Sequence, residues 1–434
     1  MRGHTSHPLF TAWPRIPRLR PHLRGRVAAS LVALALGVPG WAAPRPPEQT
    51  STLPRLPQVA QDVASGSAQV RRQALRGLRE RGGPETLPLL AGLLGDAEID
   101  IREGAIAGVI GVYVPPRANR PFNNAAAAFE AARLHAHPWS VPPELSTALV
   151  KALADTEPSV RRDAAYAAGI VLTPPVTDAA AFEITASLSD REPSVRVAAA
   201  RALGRLRVQD AGVPLIGRVN DEALEVRLAS MRALGDLRDE QAVAALKDQF
   251  TFYVRGVAGR SAISALAAIG HASTIPLFEA QTRSGYPAHR QAAYEGLARS
   301  GGAAAAAPRI EAAMASERDT RVLIAMAFAL AAAGRDGVNR VLDALADRDR
   351  SDDALSYLVE LGRPIVAAVA ARFSDPNAVV RGQIATALGF IGGPEAAAAL
   401  KGASGESDPD VRQRIDIAQL RLTRTTVVPA RSSP

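Results

Sequence analysis

Cysteine is absent from this 434-residue chain. Disulfides, thiolate metal sites, a cysteine nucleophile and a lipid anchor through cysteine are thereby excluded. Lysine is nearly absent, with only Lys151, Lys247 and Lys401, so almost all positive charge is arginine. Aromatic residues make up only 4%, while alanine and leucine are abundant. That composition suits helices packed through small side chains better than β-sandwiches. An excess of charge is also missing once the first 43 residues are set aside. These hold six arginines and no acidic residue, and the remainder carries 45 basic against 43 acidic residues. The formal net charge of +8 therefore exerts no global pull towards nucleic acid, which is not an expected partner.

Long hydrophobic runs are equally scarce. The one that stands out, Val27 to Val38, follows a basic stretch and is broken by Pro39-Gly40. It has the length of a signal-peptide core and falls short of a comfortable membrane span. Gly40-Trp41-Ala42 offers small residues where a signal peptidase checks, and cleavage after Ala42 avoids proline at the first mature position. Residues 1–42 are thus expected to be a signal peptide, which makes the mature protein periplasmic or secreted, with no membrane span after removal of the leader. The alternative is an uncleaved N-terminal anchor. The proline-rich stretch 43–58 reads as a linker, and 425–434 as a flexible tail.

What is present is a repeat. An apolar residue, an arginine, alanines and Leu-Gly recur as VRRQALRGL from Val70, VRRDAAYAAG from Val160, VRVAAARALGRL from Val195, VRLASMRALGDL from Val226, VRGQIATALGFIG from Val380 and VRQRIDIAQL from Val411. The arginine falls at 71, 102, 161, 196, 227, 260, 290, 321, 381 and 412. The spacing is near 31 except twice. Between 321 and 381 a degenerate copy fits near 351; between 102 and 161 one repeat carries an insertion, roughly 112–143. Each unit reads as two helices. In the unit from Val195 the first reaches about Arg207, and the second runs from near Ala211 to near Asn220, with Pro214 in its first turn. Neither helix can bury its apolar stripe alone, so the units must stack.

An aspartate often precedes the phrase arginine by six residues: Asp96/Arg102, Asp155/Arg161, Asp190/Arg196, Asp221/Arg227 and Asp375/Arg381. This pattern resembles the HEAT-repeat family, in the short form also found in phycobilin lyase subunits, over residues 59–424. The resemblance implies an all-α fold, a right-handed α-α superhelix of about eleven helical hairpins, in which those aspartates and arginines form an inter-repeat ladder. The ladder fades at Arg260, Arg290 and Arg321.

Candidate chemistry is thin. The insertion contains a helix over Ala125 to Leu134, capped by Asn123 or Asn124. His135 and His137 lie beside Trp139, but no third ligand follows at a useful spacing. His271 and His289 stand alone and read as surface or interface residues. Asp347 to Asp353, DRDRSDD, imitates a calcium loop, yet Asp352 and Leu358 occupy the positions that need glycine and glutamate. In QFTFYVRG, Phe250 and Phe252 are expected to fill a helix seam and Tyr253 to be exposed. No Gly-x-Ser-x-Gly, His-Glu-x-x-His, P-loop or dinucleotide fingerprint occurs, so no catalytic residue, metal or cofactor is assigned. The expected function is a non-catalytic scaffold that binds a protein partner through its concave surface, lined by the second helices with the insertion at its edge. The partner-binding candidates are Arg218, Gln249, Tyr253, Glu279, Arg283, Arg309 and Arg340. The alternative is an enzyme subunit related to bilin lyases.

The leader yields the first prediction. N-terminal sequencing of the protein recovered from outside the cytoplasm should begin at Ala43; a chain that stays cytoplasmic and begins near Met1 overturns the export reading.

Overall fold

The computed structural model describes residues 55–115, 122 and 124–425; the expected leader and most of the tail and linker lie outside them. Helices and short 3₁₀ turns account for all the regular structure among the described residues, with no strand. The phrase-bearing helices are α2 (Ala68–Arg81), α4 (Ile99–Tyr113), α7 (Pro158–Val171), α9 (Pro193–Leu206), α11 (Leu224–Leu237), α13 (Val257–Ile269), α15 (Pro287–Arg299), α17 (Thr320–Ala332), α19 (Ser351–Leu361), α21 (Ala378–Ile391) and α23 (Pro409–Thr425). Each is paired with a second helix: α1 (Leu56–Val63), α3 (Leu87–Leu93), α6 (Pro143–Ala152), α8 (Asp178–Ala186), α10 (Gly212–Arg218), α12 (Val243–Phe252), α14 (Ile275–Gln281), α16 (Ala303–Met314), α18 (Val338–Asp343), α20 (Val366–Ala371) and α22 (Pro394–Gly402). The helix left over, α5 (Ala125–His135), belongs to the insertion. The degenerate copy near residue 351 is α19. The linker ends earlier than its prolines suggested, because Pro57 sits in the first turn of α1, where its missing N–H costs little.

The two layers are packed very differently. Consecutive phrase helices lie against one another along much of their length, α7 on α9, α9 on α11, α11 on α13 and α21 on α23, while consecutive second helices, except α3 and α6, touch little. The Leu-Gly of the phrase is the cause. A Cβ on Gly204 would stand 2.7 Å from the Ala233 Cα, and one on Gly389 would stand 2.8 Å from the Ala418 Cα. Gly169 meets Ala202, and Gly235 meets Ala265, in the same way. Phrase helices that approach so closely must form the inner, concave layer of a superhelix, and the splayed second helices its outer layer. The expectation that the second helices line the concave face is therefore wrong. Small residues in the phrase, not polar residues on its neighbour, mark the inner surface.

Contact is thinner between α17 and α19. There Phe328 stacks on Tyr357 with ring centroids 4.5 Å apart, a bulkier pair than the glycine-on-alanine contacts at Gly169, Gly204, Gly235 and Gly389. Burial is split at the same seam, one apolar cluster running from Val59 to Leu330 and a second from Ile324 to Ala418. The array then returns to its own beginning: Arg421 of α23 donates to the Ala136 carbonyl (2.9 Å), and Arg424 donates to the Pro138 carbonyl and to Ser140 Oγ.

The ladder exists, with a different pairing from the six-residue one. The paired arginines spend Nη1 on the backbone carbonyl six residues before them, as Arg196 does on Asp190 (2.9 Å), Arg381 on Asp375 (2.9 Å) and Arg71 on Ser65 (3.0 Å). Their remaining fork grips the carboxylate of the next unit: Arg71 with Asp96, Arg102 with Asp155, Arg161 with Asp190 and Arg196 with Asp221, at 2.6–2.8 Å. The same carboxylate accepts the backbone N–H two residues on, as Asp221 does from Ala223 (3.0 Å). Glutamates do this work later, Glu317 for Arg290 and Glu406 for Arg381. The arginine fork holds both well below the ordinary glutamate range, to about 2. Asp375 thus supplies a carbonyl to Arg381, and Glu406 supplies the charge.

Arg196–Asp221 is the most enclosed of these pairs, with side chains 6% and 2% exposed. Asp221→Ala should cost about 3 kcal/mol or more, because it strands a buried guanidinium. Arg72→Ala, which breaks an exposed pair with Asp100, should cost at most about 1 kcal/mol. Urea unfolding of the two variants checks this; equal losses would refute the ladder as a register device.

Candidate functional site

The inner groove is not open. Asn124 caps α5 by accepting from the Ala127 N–H at 2.9 Å, and Ala128, Phe129 and Ala132 are buried. Its side chains reach inner helices from both halves of the array. The Phe129 ring lies 5.4 Å from Tyr166 of α7 and beneath the Arg205 guanidinium of α9, 3.7 Å from the centroid. Glu130 pairs with Arg201 of α9 (3.3 Å) and Arg232 of α11 (2.9 Å). His135 comes within 3.8 Å of Asp352 in α19. The insertion is therefore a plug on the concave side, not a loop at its edge. The helix and its asparagine cap were legible in the sequence; the docking partner was not.

His135 and His137 do not converge. The His137 N–H donates to the Tyr113 carbonyl at 2.7 Å, and its ring meets Trp139 edge-on at 5.6 Å. Burial pushes the His137 pKa down. Among the described residues no three His, Asp or Glu side chains are grouped as metal ligands would be. Asp347 to Asp353 forms the entry to α19, with Asp347 accepting from the Asp349 N–H.

The aromatic segment differs from expectation. Phe250 is buried, as expected, but Phe252 is 79% exposed and Tyr253 36%. The cause is the turn after α12: a Cβ on Gly259 would meet the Tyr253 carbonyl oxygen at 2.2 Å and the Val254 Cα at 3.1 Å. The chain is drawn down onto a glycine, and the end of α12 is thrown outward. Val254 here takes the place that Asp190 and Asp221 hold in earlier units. Arg227 consequently keeps its bonds to the Asp221 and Glu222 carbonyls (2.9 and 3.3 Å), while its Nε is buried with no partner. In the next unit Ser284 takes the acid's place, and Arg260 is exposed and makes no ion pair among the described residues. Val254, Val257 and Tyr286 surround this gap as further exposed apolar side chains.

His289 lies under the gap and is not a surface residue. It is 2% exposed, with Phe250 and Tyr286 rings at 5.4 and 5.2 Å. Burial lowers its pKa, and Arg260 lowers it further. His271 is at the surface, its ring accepting from the Ser273 N–H.

The remaining partner-binding candidates occupy the outer layer. Arg218 donates to Ser189 Oγ at 3.0 Å and lies 3.5 Å from Asp221, so it buttresses the ladder. Gln249 is buried and donates to Asn220 at 2.7 Å. Glu279 and Arg309 pair at 2.5 Å. With Arg283 they rim a groove of ≈ 470 Å³ whose floor includes Tyr294, Leu297 and Ile310. Arg340 is exposed on α18.

The family model of HEAT repeats matches residues 183–260 and 338–419. The chain carries HEAT repeats. No curated sequence matches it. Among solved structures, the complex of CpcE and CpcF of phycocyanin lyase from Nostoc sp. PCC7120 is similar, with 21% identity over 71% of this chain and 100% of that one and a TM-score of 0.37. A designed armadillo repeat protein in complex with the peptide (KR)4 shares 19% identity over 57% of this chain and 99% of its own, with a TM-score of 0.35. Human deoxyhypusine hydroxylase in complex with glycerol shares 18% over 64% and 96%, with a TM-score of 0.26. Among the described residues no single helix is long and apolar enough to cross a membrane.

The buried histidine of this HEAT array gives a pH prediction. The folded state keeps His289 neutral below its ordinary pKa, so the unfolded chain binds the extra proton. Stability is then full above about pH 6.5 and falls as the pH drops through the folded value. Wild-type denaturation midpoints should decline between pH 7 and pH 5, and His289→Gln should flatten that decline, leaving the part that comes from His137. An unchanged slope would show that His289 is not the group responsible.

Proposed function

We propose that the protein is a non-catalytic HEAT scaffold that works outside the cytoplasm, periplasmic or secreted, and binds another protein. The partner docks at the gap in the arginine ladder, not in the concave groove, which α5 occupies. One observation carries this reading: Phe252, Tyr253, Val254, Val257 and Tyr286 are exposed together beside Arg227 and Arg260, which lack the carboxylates their counterparts hold. Aromatic side chains beside arginine are the composition of interface anchors, and an exposed apolar cluster with a polar rim marks an interaction surface. The charge pattern specifies the partner's chemistry as a segment that offers a carboxylate flanked by apolar side chains. That carboxylate restores the missing rung, a bidentate arginine pair in a partly dry setting.

Replacing Phe252 with a photo-crosslinking phenylalanine analogue in the native host tests both parts. A discrete adduct should form in the extracytoplasmic fraction, and Arg260→Glu should abolish it while leaving the unfolding midpoint unchanged. The same probe at Val379, exposed elsewhere on the array, should give none. An adduct indifferent to Arg260→Glu would remove the ladder gap as the site, and one formed in the cytoplasm would remove the export.

A further inference from the structure

Where α5 crosses the inner layer, a cavity of ≈ 390 Å³ is left between α5, α7, α9, α11 and α21. Five arginines line it: Arg133 from α5, Arg201 and Arg205 from α9, Arg207 just after α9, and Arg232 from α11. The acidic groups that face them are Asp236, which also lines the cavity, and Glu130, already shared between Arg201 and Arg232. Positive charge exceeds negative in a cavity that is partly open to solvent, where Arg133 and Arg207 are exposed. The surplus shows in the bonding: Arg201 Nε and Arg205 Nη1 are buried with no partner. Arg133 and Arg207 form no ion pair among the described residues. Burial depresses the Arg205 pKa to about 10.

Arg207 adds a second, independent sign. It ends α9 in the left-handed conformation at φ 52°, as Arg238 ends α11 at φ 54°. Gly270 does the same for α13 without strain. A side chain in that conformation costs roughly 1–2 kcal/mol, and glycine is the usual occupant. At α11 the cost is repaid by the Arg238–Glu360 pair at 3.0 Å. At α9 no carboxylate meets Arg207. Strain kept at a residue with no ion-pair partner among the described residues points to a ligand.

We infer that this cavity is a binding site for a small phosphate monoester with an apolar or planar substituent. Guanidinium forks match phosphate oxygens in geometry and charge, and five of them exceed the two carboxylates, Asp236 and Glu130, that face them. The volume falls within the range of about 300–1,000 Å³ usual for small-molecule pockets, which suits a small ligand better than a protein segment. Phe129, Ile170 and Phe390 supply the apolar wall for the substituent. Such a ligand would tie α5 to α9 and α11. This assignment stands apart from the scaffold reading and does not depend on it.

Calorimetry on the purified full chain with phenyl phosphate, inorganic phosphate and benzoate tests the site. Phenyl phosphate should bind and raise the unfolding midpoint, with inorganic phosphate and benzoate each at least tenfold weaker. Arg201→Gln with Arg205→Gln should weaken phenyl phosphate by about a hundredfold, near 2.7 kcal/mol at 1.4 kcal/mol per tenfold. Because that variant loses the Phe129 stack, Arg207→Gly provides a test free of unfolding. It relieves the left-handed strain, so its midpoint without ligand should stay or rise while phenyl phosphate binds about tenfold more weakly. Arg309→Gln, on the outer face, should bind as wild type. The inference is overturned by no binding of phenyl phosphate to the wild type, by equal binding of benzoate, or by binding that Arg207→Gly leaves unchanged.

Discussion

The close approach of neighbouring inner helices governs everything else in this molecule. Gly204 can have no side chain because Ala233 of the next helix stands where one would be, and the same glycine-on-alanine contact recurs at Gly169, Gly235 and Gly389. Interiors are close-packed, so the distance between two helices is set by the side chains at their contact. Small residues on one layer and larger ones on the other give two layers of unequal width, and a stack of unequal layers must curve. The curvature creates the groove that α5 fills, and it brings α23 back to the insertion at Ala136 and Pro138. One seam differs: the Phe328–Tyr357 stack puts large rings between α17 and α19, and the buried core divides there.

Curvature alone does not fix register, because glycine and alanine faces can slide. The ladder supplies the directional element. Each arginine is held by a carbonyl of its own unit and a carboxylate of the next, and that carboxylate in turn caps the helix that follows. The geometry works only when successive units are in one alignment. Its net contribution to stability need not be large, since paired buried charges first repay their desolvation. A broken rung is more consequential than an intact one, because it leaves a charged fork partly dry with nothing to hold.

The all-helical repeat was legible in the sequence because it rests on periodicity, and a ruler near 31 residues survives any uncertainty about individual contacts. The ladder residues were legible by identity but not by partner. Asp190 and Arg196 are six apart in the chain, yet the carboxylate that Arg196 grips is Asp221, one unit on. Separation in sequence says nothing about which neighbour a helix end faces. The concave surface was misassigned for a related reason: polar residues on the second helices drew attention, whereas the layer is decided by where the small residues are. The plug could not be foreseen, since the partners of α5 lie on α7, α9, α11 and α19, as far away in sequence as Asp352 is from His135. Phe252 was misplaced because its exposure depends on Gly259, whose role appears only when the turn above it is seen.

Two departures from the repeat remain, and they differ in kind. At Val254 and Ser284 the sequence withholds an acid that the architecture has a place for, and apolar side chains are exposed around the vacancy. At Arg201, Arg205 and Arg207 it adds bases that the architecture does not need, on a face already covered by α5. Drift readily removes a carboxylate, but it does not explain why aromatic residues then gather in the open. Nor does it explain an arginine held in a conformation that glycine adopts without strain. A scaffold that stacks correctly through most of its units can afford local violations only where they are compensated. In the ladder gap and in the cavity beneath α5 the described residues supply no compensating group, which is why both places are read as surfaces for something else.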